Sequence, residues 1–298
     1  MKKTTVYLIT LFVILFAITY FVILPTENRT ASYSLDNSIF SIDSAKTNKI
    51  SIRKLQSNIT FEKIEPEWNL TEPINYKADQ EAVYSLLAGA SKLKISSLIS
   101  SNPEKQTLFQ VDTITGIELK FQDFKGNGVA LIVGKMGPSY LDSYIRAINS
   151  NDVYLAEGLN SWMINKEIND WRDKTIFQTD KNSITKVQYE FEKENFVLEK
   201  TDNNWMTGSD SIETSKIDQL LSTLSDFRAE DFVDNELTLQ HPQLKIEITT
   251  NDKSSLVFYP MPPDSSRYWI VSSSSQQIYV VSKYSANQII KTKKEFLK

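Results

Sequence analysis

The chain has 298 residues, of which 41% are hydrophobic and 23% charged, with one His, no Cys and a formal net charge of −4. This is globular composition, and it excludes a disordered tail, a collagen-like fibre and a polytopic transporter. With no Cys and only His241, it also excludes zinc fingers, disulfide scaffolds, thiol catalysis and a Ser-His-Asp triad, unless His241 acts alone. At about 150 residues per domain, the length predicts two domains.

The first signal along the chain is the run from Val6 to Leu24, VYLITLFVILFAITYFVIL, with no charge between Lys3 and Glu27. At about 1.5 Å of rise per residue, such a run spans the ~30 Å hydrocarbon core of a bilayer. It is longer than a signal-peptide core, and Ile23-Leu24-Pro25-Thr26-Glu27 has no small-x-small cleavage site, so an uncleaved anchor is predicted. Lys2 and Lys3 precede the run and Arg29 follows it, which places the N-terminus in the cytoplasm. The expectation is a single-pass protein of the inner (cytoplasmic) membrane, in contact with lipid through Val6 to Leu24. Residues 1–26 are then stub and anchor, residues 27–47 a Ser- and Asn-rich linker, and the rest lies on the periplasmic side. Without Lys2 and Lys3 there remain 31 basic against 37 acidic side chains. That balance argues against nucleic acid as a partner.

The remainder contains an internal duplication. Phe61-Glu62-Lys63 lies seven residues before Trp68, and Leu198-Glu199-Lys200 lies seven before Trp205. An amphipathic segment follows each Trp. Val83, Leu86, Leu87, Ala90 and Leu93 mark the first, and Ile217, Leu220, Leu221, Leu224 and Phe227 the second. Both follow i, i+3, i+4, i+7, i+10, one apolar face of a three-turn helix. Asp79 reads as one N-cap; Thr214 or Ser215 reads as the other, with Asp218 completing a capping box. Each helix is followed by four short runs of period two: 117–121, 129–133, 144–148 and 153–155, then 244–248, 256–259, 268–271 and 278–281. Strand-like sequence also opens each copy, at 49–61 and 184–198. The predicted fold class is α+β: an N-terminal transmembrane helix, then two tandem repeats, each a mainly antiparallel sheet with one amphipathic helix packed on it. The repeats are expected at 48–177 and 178–298.

Several blocks resemble the bacterial DUF4340 family. They are Trp68-Asn69-Leu70-Thr71-Glu72-Pro73, Ala78-Asp79-Gln80, Leu131-Ile132-Val133-Gly134-Lys135, Tyr144-Ile145-Arg146, Val153-Tyr154-Leu155 and Trp171-Arg172-Asp173-Lys174, in the family's order. The resemblance covers about residues 48–177 and extends weakly through the second copy. A Gly-Leu-Asp-x-Pro-like stretch common in the family is only partly matched, by Leu239-Gln240-His241-Pro242. The resemblance implies an uncharacterised, membrane-anchored envelope protein, with some members associated with gliding-type ABC transport systems. It implies no catalytic residue.

The candidate sites are few. His241 reads as a turn residue. Glu190, Glu192 and Glu194 alternate with Phe191 and Lys193, as on the solvent face of a strand. Gly126-Asn127-Gly128 and Gly134 to Gly137 read as hairpin turns rather than phosphate loops. Trp68 and Trp205 read as core residues at equivalent positions, with a ligand platform as the alternative. Arg146 and Arg172 have no basic counterpart in aligned positions of the second copy, apart from Lys294 near that of Arg172. They are candidates for a partner carboxylate or for internal pairing with Asp170 or Asp173. The candidate partner or ligand contacts are thus Arg146, Arg172, Tyr144 and Trp269; no catalytic, cofactor or metal residue is assigned. The expected function is a non-catalytic interaction or scaffolding subunit of an envelope assembly. The alternatives are a module that binds envelope glycan or peptide between the repeats, through aromatics such as Tyr140 and Tyr268, and a carboxylate-only hydrolase.

Overall fold

The structure is a computed structural model that describes residues 11–14, 16, 37–202, 204–263 and 266–297. It corrects the expected fold class, beginning with the anchor. Of the run from Val6 to Leu24, only residues 11–14 and 16 are described, and they are helical; the rest of the expected anchor lies outside the described residues. No helix among the described residues is long and apolar enough to cross a membrane. Part of the expected linker is packed chain, because Phe40, Ile42 and Thr47 are buried.

The second correction is that β structure dominates. In chain order the first strands are β1 (Lys49–Lys54), β2 (Ser57–Ile64), β3 (Glu67–Glu72) and β4 (Tyr76–Lys77), followed by helix α1 (Gln80–Ser91). Then come β5 (Lys94–Ser100), β6 (Ile117–Gln122), β7 (Gly128–Met136), β8 (Asp142–Ala147), β9 (Val153–Glu157), the one-turn α2 (Ser161–Ile164) and β10 (Thr175–Gln178). The second half holds β11 (Lys186–Phe191), β12 (Asn195–Thr201), β13 (Asn204–Thr207), β14 (Asp210–Ser211), α3 (Thr214–Ser225), β15 (Asp226–Arg228) and β16 (Asp231–Val233). It ends with β17 (Leu244–Thr249), β18 (Lys253–Pro260), β19 (Arg267–Ser272), β20 (Ile278–Ser282), α4 (Lys283–Asn287) and α5 (Lys293–Phe296). Six strands per copy were expected; each large sheet has nine. The additional strands are short or polar (β3, β4, β13 and β14 around the two Trp residues, β5 and β16 after the helices). Ladder hydrogen bonds to a neighbour, not an apolar period, make them strands.

The two nine-stranded sheets share one order: β4-β3-β2-β1-β6-β7-β8-β9-β5 and β14-β13-β12-β11-β17-β18-β19-β20-β16. In each, a strand between the long helix and the meander pairs with the last meander strand, β5 with β9 and β16 with β20; in the second copy β15 comes first and pairs with β10 in a separate two-stranded sheet. By compactness the chain divides into residues 1–62 with 84–165, and residues 63–83 with 166–298.

Local chemistry explains the elements. The β6–β7 hairpin turns on Asp123, whose carboxylate accepts from the amides of Lys125 (2.8 Å) and Asn127 (2.9 Å), and on Gly126 at φ +82°, a conformation costly for other residues. Asp79 caps α1, its Oδ1 accepting from the Ala82 amide at 3.0 Å. The expected capping box of α3 is not formed: its N-cap is Glu213, without a side-chain cap bond, and the Ser215 hydroxyl bonds the Glu213 carboxylate instead. In the second unit's core, Leu244, Ile246 and Ile248 of β17 alternate inward and meet Ile217, Leu220, Leu221 and Leu224 of α3. Each fully buried aliphatic side chain contributes about 1.5–3 kcal/mol. Leu220→Ala is therefore expected to lower unfolding free energy by about 2–5 kcal/mol, and Ser222→Ala, exposed on the same helix, by no more than about 0.5 kcal/mol. Urea denaturation of the two variants checks the difference.

Candidate functional site

Arg172 is set by backbone contacts on both sides. The turn Ile168–Asp170 carries a reciprocal Glu167/Asp170 capping box. The Trp171 carbonyl then accepts from the Asp79 amide (2.8 Å), Arg172 bridges to Ala78, and the Asp173 amide donates to the Lys77 carbonyl (2.9 Å). The side chain is 1% exposed. Its Nη1 donates to Asp234 Oδ1 (2.8 Å) and Asn169 Oδ1 (3.0 Å), and its Nη2 to Gln277 Oε1 (2.8 Å). The guanidinium lies 3.7 Å from the Phe232 ring centroid and 4.4 Å from that of Tyr76, an arrangement that favours a cation over both faces. Burial, aided by neighbouring Tyr279, pushes the Tyr76 phenol well above its ordinary pKa. Open grooves of about 600 and 560 Å³ share Tyr76 as a wall, but Arg172 lines neither. Its charge is spent inside the fold, as a buried cation requires. The partner is Asp234; of the two acids weighed from sequence, Asp170 pairs with Lys174 and Asp173 with Lys77.

Arg146 is 4% exposed and makes a different kind of node. Its Nε donates to the Val111 carbonyl (2.9 Å), and its Nη1 to the carbonyls of Ala147 (3.2 Å), Ile148 (3.0 Å) and Ser150 (2.8 Å). One guanidinium thereby ties the β8–β9 turn to a strap, residues 103–116. The strap crosses β7 at Gly134, where an added Cβ would stand 2.2 Å from the Phe109 carbonyl oxygen. Gly134 is thus not a turn glycine: it permits the close approach of a second backbone. Tyr144, on the same face of β8 as Arg146, packs tilted against Phe109 with ring centroids 4.6 Å apart, and Lys135 Nζ lies about 6 Å from both rings. Asp112 closes the strap, accepting at Oδ1 from the amides of Ile114 and Thr115 (both 2.9 Å) and at Oδ2 from the Thr115 hydroxyl. Burial raises its pKa, but these hydrogen bonds outweigh burial and leave it below the ordinary aspartate value.

Of the four ends of the two nine-stranded sheets, three are blunt: β4 and β14 have two residues and β16 has three. The fourth, β5, has seven residues, KISSLIS, without proline and with only Lys94 charged. Leu98 and Ile99 are 37% and 38% exposed. Two register irregularities interrupt its pairing with β9, yet Ser97, Leu98 and Ser100 remain in register with Leu155, Tyr154 and Val153. No counterpart of this edge was recognised in the sequence, because the run has neither strict alternation nor a flanking turn signature.

A family model described as a domain of unknown function, DUF4340, matches residues 68–242. The chain belongs to the DUF4340 family. No curated protein and no solved structure matches it. The DUF4340 match begins at Trp68, with the first of the sequence blocks and twenty residues inside the expected extent of 48–177, and runs past residue 177 to the loop that holds His241. Arg146, Arg172, Tyr144 and β5 fall inside the DUF4340 stretch, and Trp269 outside it. Trp269 is half-buried on the outer face of β19, opposite Tyr259 and Val280, away from the Arg172 contacts named above. Tyr268 is buried, its hydroxyl donating to Gln243 Oε1 at 2.9 Å, whereas Tyr140 is 73% exposed. Among the described residues no group of three or more His, Asp or Glu is placed to hold a metal ion.

Two outcomes follow from the strap. Arg146→Met strips four carbonyls of their shared donor and is expected to cost about 2–4 kcal/mol, with Arg146→Lys recovering only part because an ammonium cannot span the same acceptors; denaturant unfolding and deuterium exchange across residues 103–116 check this. Because the folded-state pKa of Asp112 is depressed, its contribution is present above the unfolded-state value and is lost as pH falls through the folded-state value. The stability gap between the parent and Asp112→Asn is therefore expected to close in acid, as read from melts between pH 7 and pH 2.

Proposed function

We propose that this DUF4340 protein is a non-catalytic interaction subunit that captures an extended segment of a protein partner by strand addition on β5. The observation that carries the reading is the contrast of sheet ends: three are too short to template a strand, and the fourth is long, nearly uncharged and exposes Leu98 and Ile99. An open edge offers a row of main-chain donors and acceptors for affinity, and its alternate side chains supply selectivity. The acids weigh against the hydrolase alternative. Asp112, Glu118, Glu230 and Glu295 are all held below their ordinary values, the reverse of what a general acid of glycoside hydrolysis requires.

The test places a photo-crosslinking amino acid at Ile99 and, as control, at Phe124, which is 77% exposed on the β6–β7 turn. In cells that make the protein, one reproducible protein adduct is expected from position 99 and not from 124. Leu98→Lys combined with Ser96→Lys is expected to abolish it while shifting the melt little, since both side chains are exposed and lysine blunts a sheet edge. Equal adducts from both positions, or capture undiminished in the double variant, would remove the proposal.

A further inference from the structure

The second unit contains a groove that the duplication itself explains. Trp68 and Trp205 hold equivalent places: the Ala78 amide donates to the Trp68 carbonyl and the Ile212 amide to the Trp205 carbonyl, each at 3.1 Å. The equivalence continues, because Ala78 bridges Arg172 and Ile212 bridges Leu297. Two residues after each donor, the copies differ. In the first, Gln80 plugs the position: its Oε1 accepts from the Trp68 amide, and its Nε2 donates to the carbonyls of Trp68 (2.9 Å) and Ala78 (2.8 Å). In the second, the residue is Thr214, two heavy atoms shorter. Where the Gln80 plug stands in one copy, the other has a groove of about 260 Å³. Trp68 is 1% exposed; Trp205 is only half-buried and lines the groove.

The groove's chemistry is mixed and unspent. Lys200 is the cross-strand partner of Trp205, so its stem lies beside the indole. Lys181 and Asn182 come from the turn Lys181–Ser183, and Asp218 from the second turn of α3. None of Lys181, Lys200 and Asp218 makes an ion pair among the described residues, although pairs form readily elsewhere on this surface. The volume falls just below the roughly 300–1,000 Å³ of drug-sized sites, enough for one ring. An indole wall takes the apolar face of a sugar ring, and amides, hydroxyls and a carboxylate take its hydroxyl groups. Two ammonium groups against one carboxylate leave a single positive charge, which matches a monoanion and disfavours a phosphate dianion beside Asp218. We infer that the Trp205 groove binds a carboxylate-bearing sugar unit, with the ring on Trp205, the acid at Lys181 and Lys200, and hydroxyls at Asp218 and Asn182.

The experiment titrates the full chain with a linear tetrasaccharide of galacturonic acid, following heat and Trp fluorescence, with neutral maltotetraose and inorganic phosphate as parallel arms. Saturable binding of the uronate is expected, at least tenfold tighter than maltotetraose and phosphate. Lys181→Gln with Lys200→Gln is expected to weaken it at least tenfold. Thr214→Gln, which rebuilds the first copy's plug, is expected to abolish it without lowering the melting temperature. Absence of saturable uronate binding, phosphate binding as tight as the uronate, or uronate binding unchanged in Thr214→Gln would each overturn the assignment.

Discussion

Everything in this protein hangs on a non-local pairing made twice. After its long helix the chain forms the far end of the large sheet, beside a meander strand not yet reached, directly in the first copy and after the short β15 in the second. β5 waits for β9 some fifty residues later, and β16 for β20. Until the whole meander is present, those strands have no ladder, and their amides and carbonyls have no partner but water. Each sheet is therefore assembled as a unit, with loop-closure entropy spent before the last pairing is made.

The same constraint explains why nearly identical frames offer different surfaces. The strand that precedes the meander must be the sheet's end. In the second sheet that end is three residues long and is followed by the loop holding Asp234, which Arg172 fastens. In the first sheet it is seven residues long and runs into the strap that Arg146 fastens. Both arginines do the same physical work: a planar, fixed charge collects oxygen acceptors from segments that have no ladder of their own. Divergence has gone into what surrounds them, a long open edge in one copy and an unplugged Trp groove in the other.

Much of this was legible before any coordinates. The first four positions of each helix face read correctly, because 3.6-residue spacing survives in Val83, Leu86, Leu87 and Ala90 and in Ile217, Leu220, Leu221 and Leu224, all buried; the fifth of each, Leu93 and Phe227, lies beyond the helix, Phe227 in β15. The meander strands read correctly because Ile117–Gln122 and Leu244–Thr249 alternate with period two. Illegible were strands without such a period, such as Tyr76–Lys77 and Asp210–Ser211, whose existence depends on a neighbour's hydrogen bonds. The apolar run at the N-terminus has the composition of a membrane span; most of it lies outside the described residues, among which no helix is long and apolar enough to cross a membrane. Gly134 looked like a turn glycine because sequence does not show a backbone crossing overhead.

What the sequence determined by itself is the periodic part: the two copies, the faces of their helices and meanders, and membership of a family whose blocks recur in order. These are local quantities, written in the spacing of apolar residues along a few turns or a few strand steps. Tertiary structure alone decided which acid answers Arg172, why Arg146 faces four carbonyls, which sheet end is long, and that Trp68 is plugged while Trp205 opens on a groove. Each of those depends on residues tens of positions apart meeting at hydrogen-bond distance, and that proximity is a property of the folded backbone rather than of any stretch of chain.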